Sequence, residues 1–175
     1  LEAFIREFGV VPRRFADGDA PYHTILTSMF MHGGWAHILS NMWFLHVFGD
    51  NVEAVLGKGR FIVFYLLCGA FAALAQMWVN PESPIPMVGA SGAIAGVLAA
   101  YVRMFPNARV LTAVPIFFLI TFMEIRAFFF IFYWFGLQFL LGVLNFNRVG
   151  GGVAFFAHVG GFVAGFLLIK LLRRP

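Results

Sequence analysis

Apolar residues dominate the chain, and polar interruptions cut them into segments of helical length. Residues 1–33 mix Arg6, Glu7, Arg13, Arg14, Asp17 and Asp19 with Phe4, Ile5, Phe8, Val10 and Val11, which predicts an interfacial loop with short helical pieces. After His32-Gly33-Gly34 a helix is expected from about Trp35 to Leu56, closed by Gly57-Lys58-Gly59-Arg60, where glycine stops a helix and basic residues anchor it. A second run, about Phe61 to Val79, ends at Asn80-Pro81. The third opens at Gly89-Ala90-Ser91-Gly92 and ends near Arg103-Met104-Phe105-Pro106. Pro84 and Pro86 cannot continue a helix, so this one begins near Ser91. Val110–Phe122 is apolar but only about 13 residues long and contains Pro115, so it is expected to lie in the interface or re-enter. Ala127 to about Leu144 is a full-length run. The polar, glycine-rich loop Asn145–Gly152 then leads to a last run, about Val153 to Leu172, closed by Arg173-Arg174.

This pattern predicts an all-α polytopic membrane protein with five spans, organised as a single domain over 1–175: an outer interfacial loop at 1–34 and a helical bundle at 35–175. The composition agrees, with 61% hydrophobic and 11% charged residues and a mean hydropathy of +0.87. A net charge of +4 is scattered among apolar stretches and forms no basic face, so no nucleic-acid partner is expected. The bilayer is the expected partner. Lys58, Arg60, Arg103, Arg109, Arg126, Lys170, Arg173 and Arg174 fall on one side, against Arg6, Arg13, Arg14 and Arg148 on the other. The positive-inside rule therefore predicts a cytoplasmic C-terminus. Five spans then put Leu1 outside, so one more helix is expected ahead of it.

Ionisable and amide side chains within spans are expensive and mark function by default. His37, Asn41, Ser91 and His158 stand out. Ser91 precedes Arg103, His158 precedes Lys170 and Asn41 precedes Glu53 by the same number of residues. At ~1.5 Å rise per residue, all three sit roughly 18 Å above one boundary of the core. A serine opening a helix is also favoured chemically, because the unpaired N–H groups there stabilise a developing oxyanion. Gly, Ala and Ser also crowd in membrane helices merely to let backbones approach. Gly92-Ala93-Ile94-Ala95-Gly96 and Gly161-Phe162-Val163-Ala164-Gly165 have that small-residue spacing, and His158 shares a stripe with Gly161 and Gly165. If the stripes face each other, His158 reaches Ser91. His37 and Asn41 share one helix face, whereas His46 points to the other side and is assigned to packing or lipid. Cys68 is unpaired and reads as a packing residue. The His32–His37 spacing is not that of a zinc protease, so no metal and no cofactor are expected.

His32-Gly33-Gly34-Trp35-Ala36-His37-Ile38-Leu39-Ser40-Asn41, Gly89-Ala90-Ser91-Gly92 and Ala157-His158-Val159-Gly160-Gly161 together resemble the rhomboid family of intramembrane serine proteases, over almost the whole chain from Thr27 onward. The resemblance implies Ser91 as nucleophile, His158 as general base, and His37, Asn41 and the Ser91 N–H as oxyanion hole. It also implies structural roles for His32 and Glu53 around the first loop, with Gly89, Gly92 and Gly161 supporting the site. It implies a core of six helices, of which five are present here, and a bacterial inner-membrane location. Substrates would be transmembrane segments of other proteins, with Ala127–Leu144 as a lateral gate and Asn145–Gly152 as a lid. Two positions depart from the family pattern. A Trp-Arg pair common in the first loop is His23-Thr24, and an aromatic often found four residues after the nucleophile is Ala95, which removes a ring that would stack on His158. The alternative function is a non-catalytic relative that binds transmembrane helices; it would be expected to lack the serine or the histidine. A transporter would require paired inverted halves, and no such repeat is evident.

Overall fold

Proline and glycine set most of the boundaries between elements. The computed structural model describes residues 2–144 and 154–173. The N-terminal segment consists of α1 (Glu2–Phe8), α2 (Pro12–Ala16), α3 (Thr24–Thr27) and a 3-10 turn at Ser28–Phe30. α4 (Trp35–Leu56) ends at Gly57, whose φ of 78° is readily reached only by glycine, and α5 (Lys58–Val79) starts directly after it. Asn80-Pro81 ends α5, and α6 (Ser91–Met104) begins once Pro84 and Pro86 are passed. α7 (Ala127–Leu144) and α8 (Phe155–Leu172) complete the bundle. The five expected helices are all present. α5 and α8 are long and apolar enough to cross a membrane, while α6 is a shorter apolar helix. The Asn145–Gly152 loop, expected as a lid, lies outside the described residues.

One expectation is corrected. Val110–Phe122 is neither an interfacial nor a re-entrant helix but most of an antiparallel hairpin, β1 (Arg109–Ile116) and β2 (Leu119–Arg126), paired in register from Arg109↔Arg126 to Ile116↔Leu119. Phe117 and Phe118 form its two-residue turn, fully exposed. The stretch is rich in Val, Ile, Thr and Phe, which suit a strand, and Pro115 is tolerated because a two-stranded sheet has only edges. The other regular elements among the described residues are helical.

α6 is the centre of the bundle. Gly92 through Val102 are all buried, and α4, α5, α7 and α8 pack around them. Small residues make the close approach possible. A β-carbon on Gly161 would overlap the Gly92 carbonyl oxygen, and one on Gly165 would overlap that of Gly96. One on Gly96 would meet Cys68 Sγ at 2.5 Å, so Cys68 is indeed a packing residue, in the third wall of the same contact. The two glycine stripes therefore face each other, as membrane helices do when small residues let dispersion contacts form between backbones. At the end of the bundle away from Ser91, Arg103 donates to the Phe166 carbonyl at 3.1 Å and lies over the Phe166 ring, while Arg60 donates to the Leu172 carbonyl at 3.2 Å. Arg60 there complements the last carbonyl of α8, while Arg103 reaches a carbonyl further back in the helix.

The N-terminal segment holds the loop that delivers Ser91. Val10 and Met87 exchange backbone hydrogen bonds of 3.0 and 2.7 Å, Arg13 N donates to Ser83 O at 3.0 Å, and Gly89 N donates to Ser28 O at 2.9 Å. Where the family pattern has Trp-Arg, Thr24 is buried and its hydroxyl donates to the Pro21 carbonyl at 2.7 Å. Thr27 Oγ1 donates to the Phe8 carbonyl at 2.8 Å. Hydroxyl-to-backbone bonds thus tie this loop down.

Candidate active site

Ser91 is the first residue of α6, half-buried, with its hydroxyl beside α8. Helix geometry explains the placement: the first N–H groups of a helix have no intrahelical partner and carry partial positive charge. His158 lies in the first turn of α8 and is only 7% exposed. The start of α8 is held by Gln76 of α5, whose amide oxygen accepts from Ala157 N at 3.2 Å, and by Gly160 seated against Ala75 and the Phe71 carbonyl. With Gly161 on Gly92, these contacts bring His158 Nε2 to 2.7 Å from Ser91 Oγ. His158 Nδ1 lies 2.6 Å from Gln138 Oε1 on α7. The Trp134 ring, one turn earlier on α7, is tilted against the imidazole at 5.6 Å between centroids.

The resulting arrangement is a hydrogen-bonded row of Gln138, His158 and Ser91 facing a cavity of about 720 Å³. His37 and Asn41 line the same cavity from α4. Asn41 is buried, and its Nδ2 has no hydrogen-bond partner among the described residues. An unpaired buried amide donor is costly, so this one is free for a ligand oxygen. His37 Nδ1 accepts from Gly33 N at 3.4 Å, which leaves the ring proton on Nε2. That nitrogen points at Gly89, where a β-carbon would come within 2.7 Å of it. Gly89 has a φ of 123°, so its lack of a side chain both permits the turn into α6 and leaves room for His37.

The structure thus brings together Ser91, His158, His37 and Asn41, with Gly89, Gly92 and Gly161 supporting them. His32 stands beside them, its ring edge-on to His37 at 5.1 Å and its Nε2 buried without a partner among the described residues. Burial, reinforced by the neighbouring His37, holds the His32 pKa below its ordinary value, against a smaller opposite effect of its bond to Phe30. Glu53 is not brought to the first loop. It lies in the last turns of α4, roughly 18 Å along the helix from Asn41 at ~1.5 Å per residue, and its backbone carbonyl accepts from Gly57 N. Gln138 and Trp134 are additions that sequence reasoning missed. The available signal was a lone amide within an otherwise apolar run.

A family model described as Rhomboid domain matches residues 19–175. The chain belongs to the rhomboid family. Among its rhomboid relatives, Rhomboid protease GluP of Bacillus subtilis is 32% identical over 86% of this chain and 26% of its own length. RHOMBOID-like protein 5 of Arabidopsis thaliana is 28% identical over 98% of this chain and 50% of its own. Rhomboid-like protein 11, chloroplastic, from the same plant, is 37% identical over 45% of this chain and 28% of its own. This rhomboid chain spans about a quarter to a half of the length of these relatives. Some relatives are named proteases and others only rhomboid-like. Rhomboid family proteins are integral membrane proteins, so the bilayer is the solvent for the bundle's apolar exterior.

Proposed function

We propose that this rhomboid protein is an intramembrane serine endopeptidase that cleaves a peptide bond in or near the transmembrane segment of another protein. The observation that carries this reading is the 2.7 Å contact between Ser91 Oγ and His158 Nε2 beside the cavity. Ser91 Oγ attacks the carbonyl carbon of the scissile bond while His158 Nε2 takes the hydroxyl proton. The carbonyl π electrons move to oxygen, and the oxyanion is met by Asn41 Nδ2, His37 Nε2 and the Ser91 N–H. When the tetrahedral adduct collapses, the C–N bond breaks and the leaving amine takes the proton from His158. Water then adds to the acyl-serine, giving up its proton to His158, which returns it to Ser91 Oγ as the carboxyl product leaves.

The basic residues Arg60, Arg103 and those near the end of α8 gather at the end of the bundle opposite Ser91. The positive-inside rule supports a cytoplasmic location for that end, with the cavity opening toward the other face of a bacterial inner membrane. The test is reconstitution in liposomes with a protein carrying one transmembrane segment, and mass analysis of the products. Cleavage within or beside that segment by the native protein, lost in Ser91→Ala, is the expected result. An intact substrate under conditions where the protein is folded would favour the helix-binding alternative.

A further inference from the structure

A serine and a histidine alone leave the imidazole free to rotate and to carry its proton on either nitrogen. A general base requires the lone pair to face Ser91, so the proton must sit on Nδ1. Something must hold it there. In the structure Nδ1 faces an amide oxygen, Gln138 Oε1, at 2.6 Å, and that oxygen can only accept. The bond therefore selects the Nδ1–H tautomer and leaves Nε2 to accept from the Ser91 hydroxyl at 2.7 Å. The same helix face supplies a second restraint, because Trp134 lies one turn before Gln138 and its ring sits against the imidazole at 5.6 Å.

Resting on the proposed protease reading, we infer that α7 completes the site: Gln138 is the positioning residue that fixes the tautomer and orientation of His158, with Trp134 bracketing the ring. A neutral amide suits this position. A carboxylate would be the stronger acceptor, but placing an ion at membrane depth carries a desolvation penalty that the amide avoids. Gln138 does not touch substrate in this scheme; it acts through His158.

Two substitutions of similar size separate positioning from packing. Gln138→Met keeps the volume and removes the acceptor; Gln138→Glu keeps an acceptor oxygen whether ionised or protonated. If Gln138 positions His158, Gln138→Met lowers kcat at least about 10-fold with little change in KM, and Gln138→Glu retains most of the activity. If Gln138 only fills space, the order reverses, because methionine packs well and a buried carboxyl does not. Native kcat in Gln138→Met would overturn the inference. A second readout does not depend on turnover: the nitrogen-15 spectrum of the His158 ring in the resting protein. An Nδ1–H signature in the native protein and Gln138→Glu, lost or mixed in Gln138→Met, supports the positioning role even if no substrate is ever cleaved, which would count against the protease reading alone. An unchanged tautomer in Gln138→Met, with native activity intact, overturns the role of Gln138 and leaves the protease reading standing.

Discussion

Gly161 sits so close to Gly92 that a β-carbon on it would overlap the Gly92 carbonyl oxygen, one turn from the point where His158 meets Ser91. The obstacle is backbone, which cannot rotate away as a side chain can. Any larger residue must push α8 off α6. Displacement of about 1 Å in a reacting pair can cost ~10²-fold in rate. Gly161→Leu should therefore lose activity by that factor or more, whereas the exposed Leu167→Ala on the same helix should not. Cleavage rate measured beside thermal unfolding in one detergent checks this, and activity should fall further than stability does.

Gly89 makes a similar demand on the other side of the site. Its φ of 123° is unfavourable for any L side chain, and a β-carbon would press on His37 Nε2. Gly89→Ala should cost about 1–3 kcal/mol in backbone strain and displace the His37 donor. The expected kinetic result is a fall in kcat greater than any rise in KM. Unchanged kcat would mean His37 does not donate to the reacting oxygen.

The donors themselves give a third test. Asn41→Ala and His37→Ala should each reduce substrate cleavage by up to ~10²–10³-fold, the usual scale for one oxyanion donor. Because Asn41 Nδ2 has no partner to lose among the described residues, Asn41→Ala should do this without a matching loss of stability. Wild-type turnover in both folded variants would reduce these residues to packing groups.

How much of this was legible in the sequence depended on what the residues had to do. Gly57, Asn80-Pro81, Pro86 and Pro106 punctuate the helices, so the ends of α4, α5 and α6 could be placed to within a few residues. Ser91 and His158 announced themselves as polar groups at one depth, and the glycines beside them named the surfaces that meet. The hairpin was hidden because both faces of β1 and β2 are apolar, which erases the alternation by which a half-buried strand is recognised. Its two-residue turn, Phe117-Phe118, also lacks the Asn-Gly or Asp-Gly signal. Gln138 was missed for a different reason: its partner is on another helix, and no spacing within α7 reveals that it faces Nδ1 of His158.

The pH dependence of stability should carry a trace of His32. Its pKa is held low in the folded protein by burial and by His37, so the unfolded chain takes up a proton first as pH falls through about 6.5. The folded state then loses stability progressively until the lowered pKa is passed, and above about pH 7 His32 contributes nothing to the slope. The melting temperature should be lower at pH 5.5 than at pH 7.5, and His32→Gln should show a smaller difference between the two. An equal difference in both proteins would mean that His32 is as free to protonate folded as unfolded.

Covalent labelling of the folded native protein in detergent with a fluorophosphonate, followed by peptide mapping, tests directly whether His158 activates Ser91. A hydroxyl made nucleophilic by a base 2.7 Å away should carry the label, and every other serine should not. Modification is expected at Ser91, abolished in Ser91→Ala and in His158→Ala while both remain folded. Labelling that persists undiminished in Ser91→Ala, or at Ser91 in His158→Ala, would contradict it.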